Sequence, residues 1–532
     1  MQIKSVRLIV ELVFQLEPVM DHPPPATRSP AHILSPIPVV KRFSAVVSDA
    51  ERTRLQAIAE QLIHDEPALA MVDAFGPSVR SGMREGPLLI LGDHSDIPLI
   101  GGEAADLYQY RMALLARSGD LVALSVQRNE VFETYLSQTL KLGSPRYVDV
   151  RAPTGKRANH LALSCIKDQN AFNLVAGIAR AAGCLTIVPH IGTGYPWRLA
   201  SAVATAADCA VDVAASPPRL TNRVNNKLWF SDLVARVLGR TAQPECTHVF
   251  GPASLVGRLK RFARKYDRMV VKVPDSAGSA GNIVFDAKSV RELSSAALHD
   301  RVLDLLRNLS PTKRFPLQAQ VWDCSIRSTP SIQLWLPHRG DGPPVIEGIY
   351  EQVVEGPGSE FVGSRPAKLP SGVIEIFADE GSRLADVLQA CGYFGRCSFD
   401  AVIGERDDGQ DIIHWIECNG RWGGVSLPMT LVNRLVSPSE RSEFVVVQRY
   451  AEAGQSLRTK DVLETLSRQL YLPRTRTGGV LLLSPAGDGS ANRLHFAAIG
   501  NTPEAAMAHA REAVGAVLGL AQVDRAQGKT DG

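Results

Sequence analysis

Residues 412–424 read IIHWIECNGRWGG, an apolar run that ends in a carboxylate, an amide and a guanidinium before two glycines. The apolar run predicts a β-strand, and side chains alternate between the two faces of a strand. Glu417 and Asn419 are therefore predicted to share one face with Trp415. Cys418 is predicted to point to the opposite face, into the core. We expect this strand to carry the chemistry of the protein.

A second predicted strand, residues 397–403 (CSFDAVI), precedes the first one along the chain. The polar segment 404–411 between the two strands predicts a hairpin loop. If the hairpin closes symmetrically, Asp400 lies opposite Trp415 and shares the face of Glu417.

Asp400, Glu417 and Asn419 would then form a cluster of oxygen ligands on adjacent strands. Carboxylate and amide oxygens are hard ligands of the kind that Mg²⁺ prefers, which predicts a magnesium ion carried in with the phosphates of a nucleotide. The alternative is an exposed hairpin whose acids merely face water.

The composition limits the class of protein. Hydrophobic residues make up 45% of the 532-residue chain and charged residues 21%, which is typical of a soluble globular protein. A chain of this length is expected to form about two to four domains. The formal net charge of +3 is too small to favour nucleic acid or a membrane as the main partner.

The eight cysteines are scattered and include no C-x-x-C pair, which argues against a zinc site or a disulfide framework and fits a reducing cytosol. No stretch is long and apolar enough to cross a bilayer. Lys4 and Arg7 precede a short apolar run, but Glu11 and Glu17 interrupt it, so no secretory signal peptide is expected. We therefore expect a cytoplasmic protein.

The globular pattern begins after a proline-rich segment, residues 20–40, which is expected to be a linker or a wrapping arm. From Arg42 onward, short apolar strands alternate with amphipathic helices, which predicts a parallel, doubly wound α/β layer. Gly192 and Gly194 follow one of these strands, but the third glycine and the acidic residue of a dinucleotide fingerprint are missing. An ordinary turn between a strand and a helix explains them.

A lysine on an apolar strand is the second informative feature. Lys272 lies in the predicted strand 269–273, where a charge is costly unless it has an anionic partner. The loop 274–282 that follows is rich in small residues, which let backbone N–H groups approach phosphate oxygens closely. Because strands flank this loop on both sides, it is not a Walker loop, which opens a helix. The alternative is a hairpin turn with a lysine at the edge of the sheet.

Two later segments carry further expectations. Residues 357–370 are predicted to be a loop, in which Arg365 and Lys368 are candidate contacts for a phosphate or a carboxylate, although solvated charge is the default for both. Residues 442–452 are predicted to be helical.

The C-terminal part predicts a small ββα cap with no catalytic residue. Its two strands are expected at 478–484 and 494–499, and its helix begins after Thr502, with a proline in the first turn.

Residues 225–435 resemble the ATP-grasp ligases in the order of their motifs. The lysine strand with the loop 278–281 comes first, and the Asp400 strand and the Glu417-x-Asn419-x-Arg421 strand follow it. The α/β part before these motifs resembles a pre-ATP-grasp domain, and the ββα tail resembles the cap of peptide ligases of the pheganomycin-biosynthesis type. The resemblance implies an ATP-grasp fold of two α+β subdomains. The implied division is 1–41 for the arm and linker, 42–224 for the pre-ATP-grasp α/β domain, 225–475 for the ATP-grasp domain and 476–532 for the cap.

The resemblance also implies that the two subdomains clasp ATP between them, and it gives each matching residue a role. Lys227 and Lys272 would contact the phosphates, and Arg421, like Lys272, would be catalytic. The metal ligands for Mg²⁺, or for Mn²⁺ in its place, would be Asp400, Glu417 and Asn419. The phosphate loop would comprise Ser276, Gly278, Ser279, Ala280 and Gly281. The adenine hinge would comprise Gln320, Val321, Trp322 and Asp323.

Two positions depart from the family pattern. The hinge usually carries a glutamate, whereas residues 320–323 read QVWD, which leaves the ribose contact open, with Asp323 as the nearest acid. The first metal-binding acid is often glutamate, and Asp400 is a shorter residue with the same ligand chemistry.

The implied function is an ATP- and Mg²⁺-dependent carboxylate–amine ligase that forms an amide or peptide bond through an acyl-phosphate, in specialised biosynthesis. Such chemistry requires charge neutralisation and alignment more than a covalent nucleophile. The expected partners are small molecules, a carboxylic acid and an amine such as an amino acid or a peptide, and a homodimer is the default assembly. Two alternatives stay open: a carboxylate–thiol ligase, and an ATP-grasp nucleotide-binding protein with a regulatory, non-ligase role.

Overall fold

The computed structural model describes residues 47–97, 102–151, 160–276, 281–309, 315–323, 325–355, 360–405, 409, 411–436, 442–451, 456–486 and 492–519. The predicted N-terminal arm lies outside these residues, as do Gly278, Ser279 and Ala280 of the predicted phosphate loop. No helix among the described residues is both long enough and apolar enough to span a membrane.

The N-terminal part forms a six-stranded parallel sheet with helices on both of its faces, which confirms the predicted doubly wound α/β layer. Its central strands are apolar on both faces, as strands covered on both sides must be. The sheet order is β1-β6-β5-β2-β3-β4. The strands are β1 Val79–Ser81, β2 Leu88–Leu91, β3 Leu121–Leu124, β4 Arg146–Asp149, β5 Cys184–Pro189 and β6 Ala210–Val213. The helices are α1 Asp49–Asp65, α2 Gly102–Ala113, α3 Glu130–Thr134, α4 Leu161–Lys167, α5 Gln169–Ala182 and α6 Gly194–Ala207, with a π-helical turn at Tyr135–Thr139.

A four-stranded antiparallel sheet follows, in the order β7-β10-β8-β9. Asn226 caps the helix that enters this region, since its side chain accepts hydrogen bonds from the N–H groups of Leu228 and Trp229. The strands are β7 Cys246–Val249, β8 Arg268–Lys272, β9 Asn282–Asp286 and β10 Leu317–Val321. The helices are α7 Pro218–Val224, α8 Lys227–Val237, α9 Pro252–Phe262, α10 Ala287–Glu292 and α11 Ser295–Leu309.

A nine-stranded antiparallel sheet forms the largest part of the molecule, in the order β11-β15-β12-β13-β14-β17-β19-β18, with β16 paired to β15. Its first strands are β11 Ile326–Ser328, β12 Pro330–Leu336, β13 Val345–Glu355, β14 Glu360–Pro366 and β15 Gly395–Glu405. The remaining strands are β16 Asp411–Asn419, β17 Glu443–Tyr450, β18 Gly479–Leu482 and β19 Arg493–Gly500. The helices are α12 Ser371–Ala390, α13 Ser426–Leu435, α14 Thr459–Thr465 and α15 Pro503–Leu518.

Two predictions about these elements are wrong. Within the segment 442–452, residues 443–450 form the strand β17 and not a helix, because their Phe-Val-Val-Val core is aromatic and β-branched and β17 pairs with β14 and β19. The segment 357–370 is not a loop throughout, since β14 occupies much of it and pairs with β13.

The C-terminal cap has the predicted strands and helix, and Thr502 caps α15 by accepting a hydrogen bond from the N–H of Ala505. Its strands do not form a sheet of their own, because β19 pairs with β17 along its whole length. The division of the chain at residue 475 therefore stays a prediction.

One hydrophobic core joins the N-terminal sheet to the C-terminal strands. Leu88 and Leu114 belong to the same buried cluster as Leu482 and Phe496. The backbone N–H of Leu482 also donates a hydrogen bond of 3.1 Å to the hydroxyl of Tyr135. This core holds the carboxyl ends of the parallel strands against the face of the nine-stranded sheet, and a cavity remains between them.

Candidate functional site

The hairpin of β15 and β16 places the two acids directly opposite each other. Asp400 pairs with Glu417, and Ala401 pairs with Trp415, so a β-bulge at Ile416 shifts the register by one residue. The predicted pairing of Asp400 with Trp415 is wrong because an extra residue in one strand cannot be read from alternation.

The bulge also separates Trp415 from the acids. Trp415 is buried in the same apolar cluster as Cys418, stacks on Phe377 at 4.6 Å between ring centres and donates a 2.7 Å hydrogen bond to the carboxylate of Glu380. The predicted common face of Trp415 and Glu417 is therefore wrong, whereas Cys418 is in the core as predicted.

Asp400 is held by neutral groups. Its carboxylate accepts hydrogen bonds from the hydroxyl of Ser331 at 2.6 Å and from the amide of Asn419 at 2.9 Å. Burial, and then the negative charge of Glu417, raise the pKa of Asp400 to about 7. A positive charge beside this carboxylate would stabilise its ionised form and would therefore oppose both effects on its pKa.

Glu417 is paired with a lysine from another part of the chain. The ammonium of Lys227, at the start of α8, lies 2.9 Å from its carboxylate and also donates to the backbone carbonyl of Ser276. Burial alone would raise the pKa of Glu417, but the positive charges of Lys227, Arg421 and Lys272 outweigh it and hold the pKa well below the usual range.

Lys272 is buried at the end of β8, with 5% of its surface exposed. It pairs in register with Gln318 of β10 and with Asn282 of β9. Burial lowers the pKa of Lys272 to about 8, although the charge of Glu417 opposes the change. The four-stranded sheet thus brings a second lysine to the two acids.

The described ends of the predicted phosphate loop close on each other. The N–H of Val273 donates to the carbonyl of Gly281 at 2.9 Å, and the hydroxyl of Ser276 donates to the carbonyl of Val273 at 2.9 Å. A Cβ atom at Gly281 would lie 2.1 Å from the Ser276 hydroxyl, so only glycine fits at this position.

Arg421 is positioned by Asn225, a residue that the sequence analysis missed. The Asn225 side-chain oxygen accepts hydrogen bonds from the N–H of Gly420 at 3.1 Å and from the Arg421 guanidinium. The guanidinium also donates to the side-chain oxygen of Asn419 at 2.5 Å. No local pattern marks Asn225, because its contacts are with residues 195 positions away along the chain.

The predicted hinge residues lie at the end of β10. Gln320 and Val321 are buried in the four-stranded sheet, and the N–H of Trp322 donates to the carbonyl of Arg268 at 3.1 Å. The carboxylate of Asp323 is 2.9 Å from Nδ1 of His414, so a partner within the protein already holds this acid.

The acids face a cavity of about 210 Å³ between the nine-stranded sheet and the N-terminal domain. Asp400, Glu417, Asn419 and Arg421 form one wall, which we call the acid wall. The opposite side carries Tyr108 and Arg111 of α2 with His94 and His190 from the loops after β2 and β5, none of which the sequence analysis singled out.

Two earlier candidates lie elsewhere. The ammonium of Lys368 is exposed and forms a 2.7 Å ion pair with Glu504, and Arg365 lies on β14 in register with Glu351. Among the described residues, no group of three or more His, Cys, Asp and Glu side chains is arranged to hold a metal. The predicted magnesium ligands are not a group of this type, because they comprise two acids, Asp400 and Glu417, and one amide, Asn419.

Residues 109–205 match the sequence model of the family described as the Pre ATP-grasp domain. No curated protein matches the chain. Biotin carboxylase from Campylobacter jejuni is 12% identical in sequence, with a TM-score of 0.52 over 81% of this chain and 91% of that one. The chain has the ATP-grasp fold. This confirms the fold predicted from the lysine and acid strands, with a pre-ATP-grasp domain before it.

Two further solved structures are similar to this ATP-grasp chain. Pyruvate carboxylase from Rhizobium etli is 13% identical, with a TM-score of 0.51 over 81% of this chain and 37% of that one. N5-carboxyaminoimidazole ribonucleotide synthetase from Thermus thermophilus is 14% identical, with a TM-score of 0.48 over 81% of this chain and 99% of that one. The narrower resemblance to ligases of the pheganomycin type stays a prediction.

Proposed function

We propose that this chain is an ATP- and Mg²⁺-dependent carboxylate–amine ligase that forms an amide or peptide bond through an acyl-phosphate. The observation that carries the proposal is the meeting of two opposed acids and an arginine at one wall of a cavity, with the charges of two lysines acting on Glu417. The charges come from three separate parts of the fold, so a purely structural ion pair does not account for them. An anionic substrate together with a divalent cation would account for this arrangement of charges.

The donor set fits magnesium. Asp400, Glu417 and Asn419 would hold the ion, because all three offer oxygen atoms and lie on paired strands. The raised pKa of Asp400 comes from burial and from Glu417, and a divalent cation would remove the repulsion between the two carboxylates. When bound, Mg²⁺ supplies positive charge against the phosphates of ATP.

The lysines would bind the phosphate oxygens of ATP on the side of the acid wall that faces the four-stranded sheet. Lys272 is buried and Lys227 reaches Glu417, so both ammonium groups lie where an anion is stabilised strongly. The adenine would lie at residues 320–323, where β10 ends. The Campylobacter jejuni biotin carboxylase, which has the same fold, was solved as a complex with beta-gamma-ATP, and this supports ATP as the substrate.

The reaction would proceed in two balanced steps. A carboxylate oxygen of the acid attacks the γ-phosphorus of ATP, the bond to the leaving oxygen breaks, and ADP departs. The amine nitrogen then attacks the acyl carbon, the carbon–oxygen bond breaks, phosphate leaves and the nitrogen loses a proton. Arg421 would offset the negative charge of the carboxylate and of the transferred phosphoryl group. Asn225 would keep the Arg421 guanidinium pointing at the cavity.

The resemblance to peptide ligases supports amino acids or a peptide as substrates, within a specialised biosynthetic pathway. The size of the cavity supports small substrates, since about 210 Å³ is below the roughly 300–1,000 Å³ of pockets for drug-sized ligands.

The first test is a thermal-shift titration with ATP and Mg²⁺ on the wild type, on Lys272→Met and on Lys368→Met. Ligand at 100 times its Kd stabilises a protein by about 2.7 kcal/mol. We expect a rise in Tm that is lost in Lys272→Met and kept in Lys368→Met, whose lysine is at the surface. No rise in the wild type would contradict nucleotide binding.

The second test measures ADP release with panels of amino acids and simple thiols. Release that depends on an added amine supports the ligase. Release that depends on a thiol favours the carboxylate–thiol ligase, and binding of ATP without stimulated release favours a nucleotide-binding protein.

A further inference from the structure

The side of the cavity away from the metal ligands is lined by Tyr108 and the buried Arg111, and a second buried arginine, Arg493, contacts the same tyrosine ring without lining the cavity. The guanidinium of Arg111 lies 4.7 Å from the ring centre of Tyr108, and that of Arg493, on β19, lies 5.4 Å from the same ring. Arg111 is 6% exposed and Arg493 is 2% exposed. We call Tyr108, Arg111 and Arg493 the arginine end. It joins α2 of the N-terminal domain to a strand of the C-terminal cap.

These arginines differ in their partners from Arg396, which is also buried, and from the partly buried Arg84. The guanidinium groups of Arg84 and Arg396 each form an ion pair with a buried acid. Among the ion pairs formed by the described residues, none involves Arg111 or Arg493. In the same part of the chain, Nε and Nη2 of Arg493 lack a hydrogen-bond partner. A buried charge without a counter-charge costs several kcal/mol, which predicts that an anion from outside supplies the missing charge.

Two histidines lie between the arginine end and the acid wall. The rings of His94 and His190 stack at 3.7 Å between centres, and the charges of both Arg111 and Arg421 act on each ring. Burial lowers the pKa of each histidine well below its usual range, so both rings are neutral at neutral pH. Their Nδ1 atoms have no partner among the described residues. A neutral ring nitrogen of this kind can accept a hydrogen bond from an amine.

We propose that the arginine end binds a carboxylate of the amine substrate, which is therefore an amino acid. This inference rests on the proposed ligase function and adds the class of the amine. The carboxylate would lie against the part of Arg111 that lines the cavity, with Tyr108 packed on that arginine and Arg493 in contact with the same tyrosine ring, and the amino group would lie beside His94 and His190. From there the nitrogen faces the acid wall, where Arg421 would hold the activated acid.

The cavity size agrees with one small amino acid as the acceptor. The cavity holds about 210 Å³ and has both Arg111 and Arg421 in its lining, so an acceptor bound at Arg111 would share the cavity with the activated acid at Arg421. A guanidinium pairs well with a carboxylate because its planar donors match the two oxygens.

The test uses matched pairs of amines in the ADP-release assay, namely free L-amino acids and the corresponding L-amino acid amides, which lack the carboxylate. We expect a free amino acid to stimulate release at least 30-fold better than its amide, a ratio typical of leaving a buried charge unpaired (roughly 2 kcal/mol or more). Stimulation by the amides alone, by both series equally or by neither would overturn the inference. Stimulation by the amides would show that the ligase works with another class of amine, so the inference would fail while the proposed function stood; only the absence of stimulation by either series would count against both.

Variants then locate the carboxylate. Arg111→Gln is expected to raise the KM for the amino acid about 30-fold or more and to leave the KM for ATP unchanged, with partial recovery in Arg111→Lys. The matched control is Arg434→Gln, since Arg434 is an arginine of α13 that donates to the carbonyls of Ala116 and Leu142. We expect the control to lower Tm and to leave both KM values unchanged. An unchanged KM for the amino acid in Arg111→Gln would overturn the assignment.

Inorganic phosphate separates a carboxylate site from a general anion site. We expect millimolar phosphate to leave the KM for the amino acid unchanged. Competition by phosphate against the amino acid, lost in Arg111→Gln, would instead assign the arginine end to a phosphate group and overturn the carboxylate. Folding of Arg111→Gln is checked by its Tm, which we expect to rise in the absence of ligands because an unpaired buried charge has been removed.

Discussion

The acid wall and the arginine end face the same cavity but balance their charges differently. At the acid wall, Glu417 has Lys227 at 2.9 Å, and Asp400 has Ser331 and Asn419 within hydrogen-bond distance. At the arginine end, the charge of Arg111 has no acid beside it among the described residues. Burial lowers the pKa of Arg111 to about 10, as expected for a buried cation that has no carboxylate beside it.

The difference separates a site that is assembled in advance from one that its ligand completes. The acid wall keeps its geometry because its own hydrogen bonds fix each side chain, as catalysis by preorganised charge requires. The arginine end gains its counter-charge only when an anion enters, so it discriminates between substrates with and without that anion.

The largest effect is expected from Glu417→Gln, which removes one charge from the acid wall and keeps its shape. Glutamine is a weaker metal ligand and leaves Lys227 without its carboxylate. We expect the kcat for ADP release to fall by about 10²–10³-fold, the loss typical of removing one electrostatic contact to a transition state. The measurement is steady-state ADP release at saturating ATP and Mg²⁺.

The control is Glu405→Gln at the end of the same strand pair. Glu405 is 48% exposed and interacts with Arg327 at the surface. Its substitution is expected to leave kcat unchanged. Equal losses in both variants would mean that the hairpin matters only as a structural element.

The second largest effect is expected from Asn225→Ala, which frees Arg421 from its position. Loss of the acceptor for Gly420 N–H and for the guanidinium lets the arginine turn away from the acid wall. A misplacement of about 1 Å costs up to roughly 10²-fold in rate. We therefore expect kcat to fall about 10- to 100-fold while the KM for ATP stays constant.

Asn225→Asp sharpens this comparison, because aspartate keeps the accepting oxygen and loses the donor to the carbonyls of Thr221 and Gly420. It should restore most of the activity that alanine loses. If aspartate and alanine are equally impaired, the role of Asn225 is to hold α7 and not to position Arg421.

Local sequence patterns were enough to find the acid wall. Asp400, Glu417, Asn419 and Lys272 are conspicuous because charged or polar residues interrupt apolar strands, and the hairpin brings the first three together both in the predicted pairing and in the observed one. The register itself was not predictable. Alternation assumes a regular strand, whereas the observed strand has a bulge at Ile416, next to a tryptophan that stacks on Phe377 of α12, a residue distant in the sequence.

The arginine end could not be found in this way. Arg111 lies on α2 and Arg493 is the first residue of β19, and the local sequence does not show that either position is buried. Their meeting depends on the pairing of β19 with β17 and on the shared core that joins the cap to the N-terminal domain. This pairing was not predicted, because a helix was expected at 442–452 in place of β17, the strand that connects the cap to the large sheet.

A smaller effect, on stability, is expected from Lys272→Met. The pKa of Lys272 is about 8 in the folded protein against an ordinary value of 10.5, and this difference corresponds to about 3 kcal/mol at about 1.4 kcal/mol per pH unit. Because the folded pKa is the lower one, the unfolded chain binds more protons between these values, and the penalty disappears as pH rises. We expect the variant to be more stable than the wild type by about 1–3 kcal/mol below pH 8.

Thermal melts of the ligand-free proteins at pH 7 and pH 10.5 measure this difference. The Tm of Lys272→Met should exceed that of the wild type at pH 7, and the gap should nearly close at pH 10.5. A lower Tm for the variant at pH 7 would mean that the attraction between Lys272 and Glu417 outweighs the cost of burial. The positive and negative charges at the acid wall would then offset each other more completely than the pKa values of these residues indicate.

The smallest effect is expected from Lys368→Ala, which removes a paired charge outside both regions. The Lys368 ammonium lies 2.7 Å from Glu504, but the two side chains are 75% and 67% exposed, so water and salt screen the pair. We expect Tm, kcat and both KM values to match the wild type, with ADP release and thermal melts as the measurements. A rise in the KM for ATP or for the amino acid would show that a charge matters here without burial. The acid wall and the arginine end are distinguished by how their buried charges are balanced. That distinction would then not hold, because a charge that is not buried would matter as well.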